Sequence, residues 1–173
     1  LRGSFVATPR SPLCFGVKRK KVITEEVLKL YRGFDRRIPS GEYENPFVDT
    51  PRIPKDTPLA IHEYADDWFH EQFGIRARST TIICSTDLVQ AQQYGDSGTV
   101  AEITPLQEFS LIYSTQVRDF LDVMVELSNI SASSVATWLE SKAYRCVNSC
   151  SMLPQGFRGE VLVSCSRYKL SAI

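Results

Sequence analysis

The sequence predicts an α+β domain, and three stretches carry that prediction. After Pro58 the apolar residues Ile61, Tyr64, Ala65, Trp68, Phe69 and Phe73 recur at helical spacing until Gly74 stops them. The strip from Thr80 to Cys84 is short and β-branched, the composition of a buried strand. Near the end of the chain, Glu160 to Val163 and Tyr168 to Leu170 read as the two strands of a closing hairpin.

The other elements follow in order. Residues 5–21 carry prolines, a glycine and the basic run Lys18-Arg19-Lys20-Lys21, and residues 1–22 read as an N-terminal arm; residues 1–4 look like a cloning remnant. Residues 23–173 are expected to form a single domain. Thr24 followed by Glu25 and Glu26 suits a helix start, because a hydroxyl cap and early acids complement the positive end of the helix dipole. That short helix leads into Leu30-Tyr31-Arg32-Gly33. The stretch 38–58 holds five prolines and reads as a long surface loop, the kind of segment that often serves as a lid. Ser85, Thr86 and Asp87 offer caps for a helix through Leu88, Ala91 and Tyr94, closed by Gly95. Asp96-Ser97-Gly98 then turns the chain into a strand over 99–103, and a separate strand is predicted over 109–113. Val117, Phe120, Leu121 and Met124 predict one further helix, and Val135, Trp138 and Leu139 another after Ser131.

Composition narrows the function. Of 173 residues 43% are apolar, enough for a real core, and 20 basic residues cancel 20 acidic ones. No global field therefore draws the chain to nucleic acid or membrane, and an anionic ligand needs a local site. The apolar runs are too short to span a bilayer and no signal-peptide pattern opens the chain, so the expectation is a soluble protein without a membrane partner. Five cysteines without metal-type pairing suggest free thiols in a reducing compartment.

Glu160 is the first place to look for chemistry. It heads a short strand without other charges, where a carboxylate costs desolvation unless something uses it; the plainer reading is a strand-end acid in water. Arg32 offers a planar fork for a phosphate, with Gly33 beside it permitting close backbone approach, and its plainer reading is an arginine leaving a strand edge. Arg78-Ser79 is a second candidate of that kind, but Arg76 and Arg78 alternate as exposed strand positions would. His62, Asp66 and His70 share a helix stripe; positions eight apart lie ~12 Å apart along the axis, too far to close on one ion. His62 and Asp66 are therefore read as an exposed polar face or one wall of a pocket, and no metal is expected. Cys84 or Ser85 with His62 as base would make a hydrolase, but the spacing gives no support for the pair. There is no glycine-rich phosphate loop.

Together these residues resemble the mono-ADP-ribosyltransferase family. Tyr31-Arg32-Gly33 is similar to its first-strand arginine, Ser85-Thr86-Asp87 with Ala91 and Tyr94-Gly95 to its Ser-Thr-Ser strand, and Gly159-Glu160-Val161-Leu162-Val163 to its glutamate strand. Arg167-Tyr168-Lys169-Leu170 resembles its final strand. The resemblance implies two small, mostly antiparallel sheets around an NAD cleft with flanking helices. It implies that Arg32 holds NAD phosphate or ribose, Ser85 braces the site and Glu160 hydrogen-bonds the nicotinamide ribose, with Gly33, Thr86 and Tyr94 at the cofactor. Tyr31, Tyr94 and Phe157 are candidate stacking rings, with core packing the plainer role. The chain departs from the family at Arg158, where Glu or Gln commonly helps choose the acceptor, and at Asp87 in place of Ser. Asp119 and then Glu140 are the reserve acids.

The activity implied is transfer of ADP-ribose from NAD, a substrate here, to a macromolecular acceptor, a protein ahead of nucleic acid. The setting implied is a monomeric bacterial toxin, effector or phage protein, cytoplasmic or secreted or injected into a target cell. The rivals are an NAD glycohydrolase or RNA-end phosphotransferase using the same pocket, and a non-catalytic module that grips a partner with its 38–58 loop.

Overall fold

A computed structural model describes residues 27–95 and 98–173. The elements run β1 (Leu30–Gly33), β2 (Gly41–Glu44), α1 (Leu59–Phe73), α2 (Ala77–Thr80), β3 (Ile82–Ser85) and α3 (Leu88–Gln93). They continue as β4 (Val100–Tyr113), α4 (Asp122–Glu126), α5 (Ala132–Ser141), β5 (Arg145–Val147) and β6 (Glu160–Ala172). The class is α+β, as the sequence predicts. The expected helix start at Thr24, the basic run Lys18–Lys21, and Asp96 and Ser97 of the turn lie outside the described residues.

The sheet is built on one long antiparallel ribbon, β4 against β6, running from Ala101↔Ala172 to Tyr113↔Val161. At one end β1 adds to β4 and β2 to β6. At the other end β3 adds to β6 and β5 to β4. A single pair, Tyr31↔Ser85, links β1 to β3. The two small sheets that the resemblance implies are thus two halves of one six-stranded sheet, all of whose pairings are antiparallel.

Two sequence expectations fail where the ribbon bends. The strands predicted over 99–103 and 109–113 are one strand, β4, and the predicted hairpin over 160–170 is one strand, β6. The register slips between Leu106↔Arg167 and Phe109↔Cys165, so two residues of β4 face one of β6, and Gln107 takes φ 62°. Such a bulge leaves a residue unpaired and bends the strand. On β6 the residues that face one core run Val161, Val163, Cys165 and then Tyr168, Leu170. Ser166 and Arg167 look like a turn in the sequence because they mark this slip of alternation. The bend lets both halves turn their apolar faces onto one core of Leu30, Ile82, Cys84, Ile103, Leu111, Val163 and Leu170.

The opposite face of β3, β4 and β6 is covered by helices. Ile61, Ala65, Trp68 and Phe69 of α1 pack with Phe120, Val135, Trp138 and Leu139 against Ile112 and Leu162. At ~1.5–3 kcal/mol for each large apolar side chain removed from water, this cover outweighs the cost of burying a few polar groups beneath it. Gly74 ends α1 in the left-handed region (φ 72°) and donates its N–H to His70 O at 2.8 Å. Ser131 and Ser134 form a reciprocal capping box on α5.

Other elements differ from expectation. The helix predicted across Val117–Met124 is confined to Asp122–Glu126, with Val117 and Phe120 buried in the turns before it. The loop over 38–58 contains a strand, β2, whose residues Glu42 and Glu44 are exposed while Tyr43 stacks on Tyr168 of β6, ring centroids 6.0 Å apart. Residues 77–80 form a helical turn rather than an exposed strand, because buried Asp66 of α1 accepts the backbone N–H groups of Arg78 (2.6 Å) and Ser79 (3.1 Å).

Candidate functional site

Strand alternation sorts the site residues. Val161 and Val163 of β6 face the first core, so Glu160 and Leu162 face the helices. On β3, Ile82 and Cys84 face the first core and Ser85 faces the helices. Ser85 and Glu160 are direct cross-strand partners, so their side chains sit next to each other under the helical layer.

Glu160 is 7% exposed and its Oε1 accepts from Arg78 Nη1 at 2.7 Å. Its second oxygen, Oε2, has no hydrogen-bond partner among the described residues. Its backbone N–H donates to Arg118 O. The guanidinium of Arg78 lies 3.9 Å from the centre of the Phe120 ring, which holds it in place from one face. Burial holds the Glu160 carboxyl above its ordinary range; Arg78 opposes that shift and the nearby Asp119 adds to it.

Ser85 starts a chain of polar contacts. Its hydroxyl donates to Gln90 Oε1 at 2.8 Å and accepts the N–H of Asp87 at 2.9 Å. Gln90 Nε2 donates to Tyr94 Oη and to Arg118 O, both at 2.7 Å, and Tyr94 Oη donates to Asp119 Oδ2 at 2.5 Å. Burial first, and then Asp119 and Glu160, hold the Tyr94 phenol well above the usual range. Asp119, the first reserve acid, is therefore part of the same polar cluster as Glu160, whereas Glu140 is exposed on α5.

The remaining candidates have structural duties. Thr86 Oγ1 donates to Phe157 O at 2.7 Å and accepts from Gly159 N at 3.1 Å, pinning the entry to β6 beside the end of β3. A Cβ on Gly33 would come within 2.2 Å of Ala91 O, so this glycine lets the end of α3 pack directly on β1. Phe157 is buried against Tyr113, ring centroids 5.3 Å apart, in the core role its sequence context suggests. Asp87 caps α3 by accepting from Val89 N. Arg158 is exposed.

Arg32 sits one strand from Ser85, but its side chain leaves β1 on the Leu30 face and donates from Nη1 to Ile83 O at 2.9 Å. Burial holds its pKa below the usual arginine value. The cation paired with Glu160 is Arg78, which the sequence pattern placed on an exposed strand; it is 7% exposed. A buried carboxylate demands a cation, yet nothing in the spacing selects Arg78, 82 positions away, from among the 20 basic residues of the chain. Arg52, also missed, comes from the proline-rich stretch: its Nη2 donates to Thr81 O at 2.8 Å and its guanidinium stacks 4.0 Å over Phe47.

His62 and Asp66 are buried at 5% and 4% exposure, not an exposed face, since Asp66 serves the backbone of α2. Burial holds His62 below its ordinary pKa, and Nε2 lies 4.0 Å from Asp66, too long for a hydrogen bond. No cluster of three or more metal-ligating side chains occurs among the described residues. Nor is any helix among them long and apolar enough to cross a membrane. One surface hollow, about 1170 Å³, is lined by residues such as Gly74, Arg76, Glu108, Ser110 and Ser166 and includes none of Arg32, Ser85 and Glu160. Buried unlike charges are the stronger sign of a site, because they cost desolvation that an open hollow does not.

The chain matches no protein-family model, no curated protein and no solved structure.

Proposed function

We propose that the chain transfers ADP-ribose from NAD to a macromolecular acceptor, with Glu160 as the residue that stabilises the reacting ribose. The observation that carries this reading is the state of Glu160: buried, beside Ser85, held through one oxygen by Arg78, and with its other oxygen unengaged. When the nicotinamide–ribose bond breaks, its electron pair leaves with the nicotinamide nitrogen and positive charge develops on the sugar. A carboxylate fixed in a dry setting stabilises that charge, and its free oxygen can accept a hydrogen bond from a ribose hydroxyl. Attack by an acceptor nucleophile on C1′, with loss of its proton, completes the transfer. Ser85 acts through Gln90 and the Asp87 N–H to keep the β3 side of the site rigid. Arg32 and the aromatic residues near it support binding of the dinucleotide.

The test is nicotinamide release from NAD by the wild-type chain and by Glu160→Gln, with radiolabelled NAD used in parallel to find a modified macromolecule. Release that vanishes in the variant together with a labelled acceptor supports transfer. Release without any labelled acceptor points to hydrolysis, and no NAD consumption by the wild type refutes the reading.

A further inference from the structure

We propose that His62 and Asp66 form an acid-sensitive latch on the Arg78–Glu160 pair: a proton on His62 draws Asp66 away from α2, and Arg78, which α2 carries, loosens from Glu160. That the pair is the reacting centre rests on the function proposed above; the latch itself does not.

The latch begins with the way α2 is held. The leading N–H groups of a helix lack the usual partner one turn back, and Arg76, at the start of α2, gives no side-chain cap. Asp66 of α1 caps them from a distance: its Oδ1 accepts from Arg78 N at 2.6 Å and from Ser79 N at 3.1 Å. Arg78, which receives the shorter of these bonds, sends its own Nη1 to Glu160 Oε1 at 2.7 Å. Asp66 therefore fixes the backbone from which the counterion of Glu160 hangs. Ser79 ties the approach to α1 into the same place, since its carbonyl accepts from Arg52 N at 2.8 Å.

His62 stands one helical turn before Asp66 on the buried stripe of α1. Its Nε2 lies 4.0 Å from Asp66 Oδ2, and neither that oxygen nor the ring nitrogens have a hydrogen-bond partner among the described residues. An imidazole buried without a bond costs desolvation that an apolar side chain of similar size would not. A neutral ring with its lone pair on Nε2 stands off from a carboxylate. Once protonated, the ring offers a charge-assisted bond at ~2.7–2.9 Å, so about 1 Å of travel closes the gap. Travel by Asp66 comes at the expense of its bonds to α2. The charges that face His62 act in the same sense. Burial holds the ring below its ordinary pKa; Arg78 of α2 and Arg52 of the segment before α1 push the same way, against Asp66 and Glu63 of α1. Such coupling is reciprocal, so a proton on His62 disfavours Arg78 where it sits. Once Arg78 loosens, Glu160 loses the charge that opposes its protonation and takes up a proton more readily. The two protonations therefore reinforce each other.

The chain has two histidines, buried His62 and exposed His70, so a pH titration of the full chain by NMR can follow each ring. In the wild type the backbone amides of Arg78 and Ser79 and the Nε–H of Arg78 are expected to shift with one midpoint, that of the His62 ring, below 6.5. His62→Gln should remove the step at that midpoint, and His70→Gln should leave it in place. The wild-type titration needs no variant, should His62→Gln fail to fold. Nicotinamide release gives a second readout: on the acid side kcat/KM should fall with uptake of two protons in the wild type and of one in His62→Gln. Resonances of Arg78 and Ser79 that stay still while His62 titrates, or that keep their midpoint in His62→Gln, overturn the latch even if NAD is consumed, as does a one-proton limb in both chains. Coupled titration without NAD consumption keeps the latch and sinks the proposed function.

Discussion

Breaking the Arg78–Glu160 pair from one side is expected to destabilise the protein strongly, and breaking it from both sides much less. The two side chains are 8% and 7% exposed and meet at 2.7 Å. In Glu160→Leu the guanidinium of Arg78 stays beneath the helices with Phe120 on one face and an Nε that already lacks a partner. Removing one member of a buried pair costs ~3–5 kcal/mol, because the charge left behind has neither water nor counterion. For a chain of this size each kcal/mol lowers Tm by ~2–4 °C, so the drop is roughly 6–20 °C. The double variant Arg78→Met/Glu160→Leu removes both charges in favour of apolar groups of similar volume, and most of the loss should return. Urea unfolding followed by Trp68 and Trp138 fluorescence on the wild type, the two single variants and the double variant gives the coupling directly. If Glu160→Leu unfolds within ~1 kcal/mol of the wild type, the pair is not dry, and the reasoning that makes Glu160 a fixed charge in a low-dielectric site collapses.

Other outcomes follow from the same geometry. Because burial raises the Glu160 pKa above 4.5, the folded chain holds this proton at pH values where the unfolded chain has released it; stability should decline as pH rises from 4.5 through the folded pKa. Over that window nicotinamide release should increase with ionisation of Glu160, and an acid limb at or below pH 4.5 in the kcat/KM profile would contradict the shift. Gly33→Ala forces a Cβ to within 2.2 Å of Ala91 O, so thermal denaturation should show a loss of ~1–3 kcal/mol, whereas an unchanged Tm would mean that α3 yields freely. Ser85→Ala removes the donor to Gln90 and the acceptor for Asp87 N, with an expected cost of ~1–3 kcal/mol by urea unfolding; a neutral result would show that Ser85 braces nothing. Among the described cysteines, exposed Cys146 should be alkylated at pH 8 well before buried Cys84, as read by peptide mass spectrometry, and early Cys84 labelling would show that the core opens.

Much of this fold is legible in the sequence where a local rule acts without competition. The α1 stripe ending at Gly74, the helix through Val135, Trp138 and Leu139 after Ser131, and the buried strand before Ser85 depend on periodicity and composition, and each lies where those rules put it. The readings that fail do so at the ribbon bend, where Ser166 and Arg167 mimic a turn, and at residues 76–80, where alternating arginines mimic a strand. In both places a contact distant in sequence decides: the bulge in β4 opposite Ser166, and the Asp66 carboxylate on the backbone of α2.

The site divides in the same way. From the residues alone it follows that Glu160 heads an apolar strand and that Ser85 ends another, because composition and alternation are properties of short segments. That these two are cross-strand neighbours, that Arg78 rather than Arg32 neutralises the carboxylate, and that Arg52 reaches the β3 edge from the proline-rich stretch were decided only by tertiary structure. The physical reason is that a buried charge selects its partner by distance after the chain has collapsed. Distance in space is set by strand register and helix docking, which no short window of sequence contains.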